Sequence, residues 1–102
     1  MNAMTKLQPT EIQLAMTSLV GWTLDTHAQH HTPCLSKSWT LPNFEAALAR
    51  FHQIAQLAQD QDHHPEVLSS YTFLHVRIWT HDVAGLTNKD FTLARSIDAL
   101  VE

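Results

Sequence analysis

The sequence predicts an α+β domain in which three helices pack on one face of a four-stranded antiparallel sheet. Three observations carry that expectation. Apolar residues recur at helical spacing in three separated stretches. Between them lie two pairs of segments with strand character, and one of these alternates strictly over residues 71–81. The order helix, two strands, helix, two strands, helix is that of a layered domain with its helices segregated to one sheet face. The other face is expected to stand open to a ligand or a partner.

The first helix is expected after Pro9. Thr10-Glu11-Ile12-Gln13 fits a capping box with Thr10 as N-cap and Gln13 at the third helical position. Ile12, Ala15, Met16, Leu19 and Val20 make its apolar face, and Gly21 is a natural stop. Residues 1–9 are short, polar and expected to be flexible. Residues 21–24 and 35–41 read as short strands, joined by the polar, His-rich stretch 25–34 into a hairpin with a long loop. The second helix opens at Pro42-Asn43, with Asn43 as N-cap and Glu45 favourable against the helix dipole. Phe44, Leu48, Phe51, Ile54, Ala55 and Ala58 form its core stripe, and it ends near Gln59 or Asp60.

Pro65 disfavours helix and favours extended backbone at His64, and residues 66–70 then read as a short strand. In the alternating stretch, Leu74, Val76 and Ile78 point to the core. Tyr71, Phe73, His75, Arg77, Trp79 and His81 point to the open face, which carries more aromatic and basic character than solvation requires. The third helix has the strongest start signal. Thr87-Asn88-Lys89-Asp90 is a capping box, and Leu86 with Phe91 occupies the positions of a hydrophobic staple. Phe91, Ala94, Ile97 and Val101 supply its buried face, with Leu93 and Leu100 beside it.

A chain of 102 residues is expected to form a single domain, residues 1–102, with one core and no need of covalent staples. Its formal charge of −4 argues against a nucleic-acid binder or a partner of anionic membranes, which would show a basic patch. The lone Cys34 rules out an intramolecular disulfide framework and suits a reducing compartment. No apolar run could span a membrane and no signal peptide is visible, so a cytoplasmic location is expected. The unusual count is histidine: there are 8, against 6 Lys and Arg together. Protonating all eight would take the charge from −4 to +4.

Asp62-His63-His64-Pro65 places two imidazoles at the junction of the second helix with an extended segment. Neighbouring side chains on extended backbone diverge, so the pair need not act as a unit. His81 lies at the far end of the alternating strand. Three imidazoles around one cleft suit proton transfer near neutral pH. The plainer alternative, that His63 and His64 only finish the helix and His81 is merely exposed, stays open on the residues alone. His27, His30, His31 and Cys34 offer nitrogen and sulfur donors to zinc, but no second ligand cluster accompanies them, so an ordinary polar loop is preferred and no metal is expected. His52 and His75 read as surface residues. Asp90 is a cap for the third helix, a site residue, or both. Cys34 as a nucleophile lacks an identifiable base.

The spacing of Asp62-His63-His64-Pro65, Tyr71, His81 and Asp90 resembles the signature of the pterin-4a-carbinolamine dehydratases. Gly21-Trp22, Asn43-Phe44-Glu45-Ala46, Thr80-His81, Ala84-Gly85-Leu86-Thr87 and Lys89-Asp90 extend the resemblance over residues 10–101. It implies the same α+β fold, assembled as homodimers or homotetramers. It further implies dehydration of a 4a-hydroxytetrahydropterin to the quinonoid dihydropterin, in recycling of a tetrahydrobiopterin-type cofactor, with no metal or organic cofactor. Carried over by motif position, His63, His64 and His81 are the catalytic trio, with His63 and His81 as acids or bases and His64 mainly binding substrate. Gln59, Asp62, Pro65 and Asp90 are the implied substrate-binding positions. Gln59 departs from the family, which usually has an ionisable residue there; Gln can hydrogen-bond a pterin edge but carries no charge. The His-rich hairpin loop looks like an insertion. A non-catalytic role on the same fold, as a coactivator or an assembly factor, is the alternative; the complete trio favours the enzyme, while Gln59 and the aromatic residues Phe73 and Trp79 favour a partner role.

Overall fold

The computed structural model describes residues 5–100. Along the chain run α1 (Pro9–Met16), β1 (Thr23–Thr26), β2 (Pro33–Thr40), α2 (Phe44–Asp60), β3 (Glu66–Ser70), β4 (Phe73–Ile78), a 3₁₀ turn (His81–Val83) and α3 (Asn88–Asp98). The strands form one antiparallel sheet in the order β1-β2-β4-β3. This is the expected architecture. Register puts Leu35 opposite Ile78, Lys37 opposite Val76 and Trp39 opposite Leu74, so these residues share one face. On that face Leu35, Val76 and Ile78 pack with Ile12 of α1, Ile54 of α2, and Phe91, Leu93, Ala94 and Ile97 of α3. The aliphatic half of β4 is therefore buried as its alternation predicted. Among the described residues no helix is long and apolar enough to cross a membrane.

Both longer helices start where their caps lie. The Asn43 side chain accepts the N–H of Ala46 at 2.8 Å. Thr87 caps α3, and the Asp90 carboxylate accepts the Thr87 N–H at 2.8 Å. The first helix differs from expectation. Pro9 is its first residue, where a missing N–H costs nothing, so the cap moves to Gln8 and the Glu11 carboxylate accepts the Gln8 N–H at 2.7 Å. It stops at Met16 rather than near Gly21. The Thr17 and Ser18 hydroxyls bond the carbonyls of Leu14 and Ala15 at 2.6 and 2.9 Å, and the backbone there tightens into three-residue turns. Val20, placed by periodicity on the buried face, is exposed as a result. Ahead of the helix, the Leu7 N–H bonds the Leu86 carbonyl at 2.8 Å. The expectation of flexibility for residues 1–9 extends to residues 1–4, and the buried role expected of Val101 falls on residue 101; both lie outside the described residues.

Three further expectations change. The hairpin strands are shifted, and residues 27–32 form the loop between them. The core face of α2 is rotated toward Ala47 and Arg50, which are buried with Ile54 and Ala58, while Phe44 and Leu48 stay 49% and 56% exposed. The alternating strand is shorter than residues 71–81. Tyr71 sits in a turn with φ 55°, and pairing ends at Ile78. Trp79 is consequently not on an open face but only 3% exposed, which removes one of the two aromatic groups that pointed to a partner surface. Trp22 also gains a role that periodicity did not show. Its indole N–H donates to Asp98 of α3 at 2.9 Å, and the Lys37 ammonium bridges Asp98 at 2.9 Å while lying over the Trp22 and Trp39 rings.

Candidate active site

The end of α2 sets the site. The His63 N–H bonds the Ala58 carbonyl at 3.0 Å and the Asp62 N–H bonds the Gln59 carbonyl at 3.2 Å. These are the two bonds of a Schellman motif, with Asp62 in the left-handed position at φ 50°. Glycine usually fills that position; Asp is among the few residues that tolerate it. The motif satisfies the last carbonyls of the helix and reverses the chain within one residue. His63 is thereby turned inward, 7% exposed, and His64 outward.

His63 meets Asp90, whose side chain has no exposed surface. The ring Nε2 lies 2.5 Å from Asp90 Oδ1. Asp90 Oδ2 accepts the Thr80 hydroxyl and the Thr87 N–H, both at 2.8 Å, and the Thr80 and Thr87 hydroxyls bond each other at 2.8 Å. With Oδ2 occupied by two donors, Oδ1 is left to accept from His63. That assigns the ring hydrogen to Nε2 and leaves Nδ1 as the group free to exchange a proton. The cap of α3 and the orientation of His63 are thus one carboxylate's work, and Asp90 reaches the cleft only through His63. His64 Nε2 lies 3.2 Å from the Gln59 amide oxygen, so the Gln carbonyl accepts from the ring.

His81 opens the 3₁₀ turn. Thr80 pairs with Gly85 through a 2.9 Å bond from the Thr80 N–H, and Ala84 closes the turn at φ 48°. These elements converge on a cleft of about 410 Å³ lined by Asp62, His63, His64, Thr80, His81, Asp82 and Lys89. The volume falls within the range of small-molecule sites, roughly 300–1,000 Å³. The cleft brings together His63, His64, His81 and Asp62 of the expected residues. Gln59 and Pro65 lie instead beside an adjoining apolar groove, with Phe51 and Val67, that shares His64. Asp82 is a cleft residue that the sequence did not single out, while Thr80 and Lys89 entered only as the neighbours of His81 and Asp90 in the family resemblance, with no role at the site assigned to them.

The His-rich loop does not gather a metal set. Among the described residues, no three or more His, Cys, Asp or Glu side chains stand together as ligands. His27 is buried, and its Nε2 faces the Glu66 carboxylate at 3.0 Å. Arg77 bonds the same carboxylate at 3.2 Å. Burial alone would raise the Glu66 pKa, but the His27 and Arg77 donors reverse this and hold it below its ordinary value. Cys34 lies buried nearby, and burial, then the negative charge of Asp25, pushes its thiol up to about 11. That is the opposite of an activated nucleophile. His75 is tied by both ring nitrogens to Ser36 and Ser38, at 2.9 and 2.6 Å, and burial, then Arg77, lowers its pKa.

Residues 5–100 match the family described as pterin 4 alpha carbinolamine dehydratase. A protein of Halorhodospira halophila named "Putative pterin-4-alpha-carbinolamine dehydratase" is 38% identical over 79 residues, which are 78% of this chain and 69% of that one. One of the same name from a Roseiflexus species is 34% identical over 97 residues, 95% of this chain and 98% of that one. Among solved structures, a transcriptional coactivator/pterin dehydratase from Brucella melitensis superposes with a TM-score of 0.84 at 28% identity, covering 93% of this chain and 97% of that one.

Proposed function

The chain belongs to the pterin 4 alpha carbinolamine dehydratase family, and from that premise we propose that it removes water from a 4a-hydroxytetrahydropterin to give the quinonoid dihydropterin. The observation that carries the reading is a single cleft of small-molecule size lined by His63, His64 and His81. Loss of the 4a-hydroxyl needs one proton delivered to the departing oxygen and one removed from a ring nitrogen. The C–O bond breaks, its electron pair leaves with the oxygen, and water departs.

His63, oriented by Asp90, and His81, on the turn across the cleft, are the acid and base. His64 binds substrate, with Gln59 holding its ring and Asp62 on the cleft wall. Asp90 serves as a positioning residue, and Pro65 keeps the backbone at His64 extended. No step calls for a metal or an organic cofactor. The setting we infer is cytoplasmic recycling of a reduced pterin, by a homo-oligomer. The coactivator half of the Brucella protein's name keeps a second, non-catalytic role on this fold in view, but here Trp79 is withdrawn from the surface that would serve it.

The test is the rate of dehydration of a synthetic 4a-hydroxytetrahydropterin by wild type, His63→Ala and His81→Ala. The expected result is a wild-type rate well above buffer and a loss of roughly 10²-fold or more in each variant. A wild-type rate equal to buffer overturns the enzyme reading. Undiminished variants overturn the assignment of the trio.

A further inference from the structure

The loop of residues 27–32 is built to a fixed shape. The His27 N–H bonds the Thr32 carbonyl at 2.9 Å, and the His31 N–H bonds the His27 carbonyl at 2.8 Å. Inside this ring the buried His27 side chain acts as a hub. Its Nδ1 accepts the N–H of Gln29 at 3.1 Å and of His30 at 3.2 Å. Two donors at Nδ1 assign the ring hydrogen to Nε2, which donates to Glu66 on the sheet. The loop is thus fastened both to itself and to β3.

Its docking has a consequence at the cleft. The His27 ring lies 4.9 Å from Trp79, and the His30 ring 5.6 Å from Trp79 and 6.4 Å from His81. Trp79 in turn lies 4.5 Å from His81. All are centroid separations at which aromatic rings attract. The cleft's other imidazoles are oriented by hydrogen bonds, His63 to Asp90 and His64 to Gln59. Among the described residues, no side-chain hydrogen bond holds the His81 ring. What holds it is packing against the rings of Trp79, tilted by 40°, and of His30, nearly perpendicular at 76°.

We propose that His30 and Trp79 are positioning residues for His81, so that the His-rich loop is a structural part of the active site. The inference rests on the dehydratase reading and deepens it. An imidazole on an exposed turn samples several rotamers, and each unproductive one idles the proton transfer. Packing against two rings narrows that choice. His30 needs only its planar ring for this, not its ionisable nitrogens.

His30 is exposed, so it can be replaced with little risk to folding. His30→Ala is expected to lower kcat about tenfold with KM held within about twofold, and His30→Phe to restore most of the loss. In a His81→Ala background the same His30→Ala change is expected to have almost no effect on kcat, because its route to the chemistry is gone. A second readout needs no activity. The carbon-bound ring protons of His81 should be displaced in the NMR spectrum by the Trp79 ring, and the displacement should shrink in His30→Ala. Wild-type kcat in His30→Ala, or an equal loss with and without His81, overturns the proposal. So does a His81 resonance indifferent to His30. If wild type fails to dehydrate the pterin while the His81 resonance still follows His30, the dehydratase reading has failed and the packing of His81 has not.

Discussion

Asp90 does two jobs that a single substitution can separate. It caps α3 through the Thr87 N–H and fixes the His63 ring through its other oxygen. Asp90→Asn keeps the size but must aim an amide N–H₂ at Thr80 and Thr87 or at His63, each of which already offers a donor. We expect a stability loss of about 1–3 kcal/mol from the unpaired buried donors. We expect kcat to fall by roughly 10–100-fold, as when a group that orients a reactive histidine is lost. Urea midpoints and kcat on the same samples check this, and a kcat at the wild-type level in the folded variant removes Asp90 from the mechanism. Cys34 gives a pH prediction of definite sign. Its thiol is held neutral by burial up to about 11, above its value of 9.0 when unfolded. The folded state therefore binds the proton more tightly than the unfolded state. The stabilisation this supplies is whole below pH 9 and is lost as pH rises through about 11. Cys34→Ala should lack that component of the alkaline loss, which paired unfolding curves from pH 8 to 11 would detect. The same burial predicts that the native thiol resists alkylation at pH 8 and reacts once urea unfolds the chain.

Among the elements, the two ends of α2 contrast in how well they were written in the residues. Asn43 is a start signal of ordinary chemistry, and the structure uses it as read. Asn43→Ala should cost about 1 kcal/mol and leave kcat unchanged, since the cap is far along the helix from the histidines. A drop in kcat without a shift of the unfolding midpoint would show the helix start to be coupled to the site. The other end closes on a Schellman motif with Asp62 in place of the usual glycine, so nothing in composition announced that His63 turns in and His64 out. The capping box at Thr87 was equally plain, as was the alternation of Leu74, Val76 and Ile78. Less legible was anything settled by contact rather than by pattern. Phe44 and Leu48 continue the apolar stripe of α2 but miss the core, because the helix rolls to bury Ala47 and Arg50. Trp79 lies just past the end of β4, where it is buried with its ring against His27 and His30 of the loop. The loop itself read as incidental polar sequence, because its order depends on Glu66, a residue 39 positions away.

For the whole molecule, the histidine excess divides into groups with different surroundings, and this bears on how its charge responds to pH. His27 and His63 are buried against carboxylates, and His75 is held below its ordinary pKa, by burial first and then by Arg77. His30, His31, His52, His64 and His81 are exposed. The chain carries −4 with every imidazole neutral, so protonating the five exposed ones alone would bring it to +1. The isoelectric point of the sequence is near 6.0. A protein without net charge loses the repulsion that keeps copies apart. Solubility should pass through a minimum close to pH 6 and recover on both sides. Replacing His31 and His52 by Gln removes two groups able to carry positive charge, so the minimum should move to lower pH, because more carboxylates must then be neutralised to balance the charge. Turbidity against pH for both proteins measures the shift, and a minimum that stays in place would show that the exposed imidazoles do not set it. Activity at pH 6 has a matching expectation: loss caused by association should grow with protein concentration, whereas loss caused by protonation at the cleft should not.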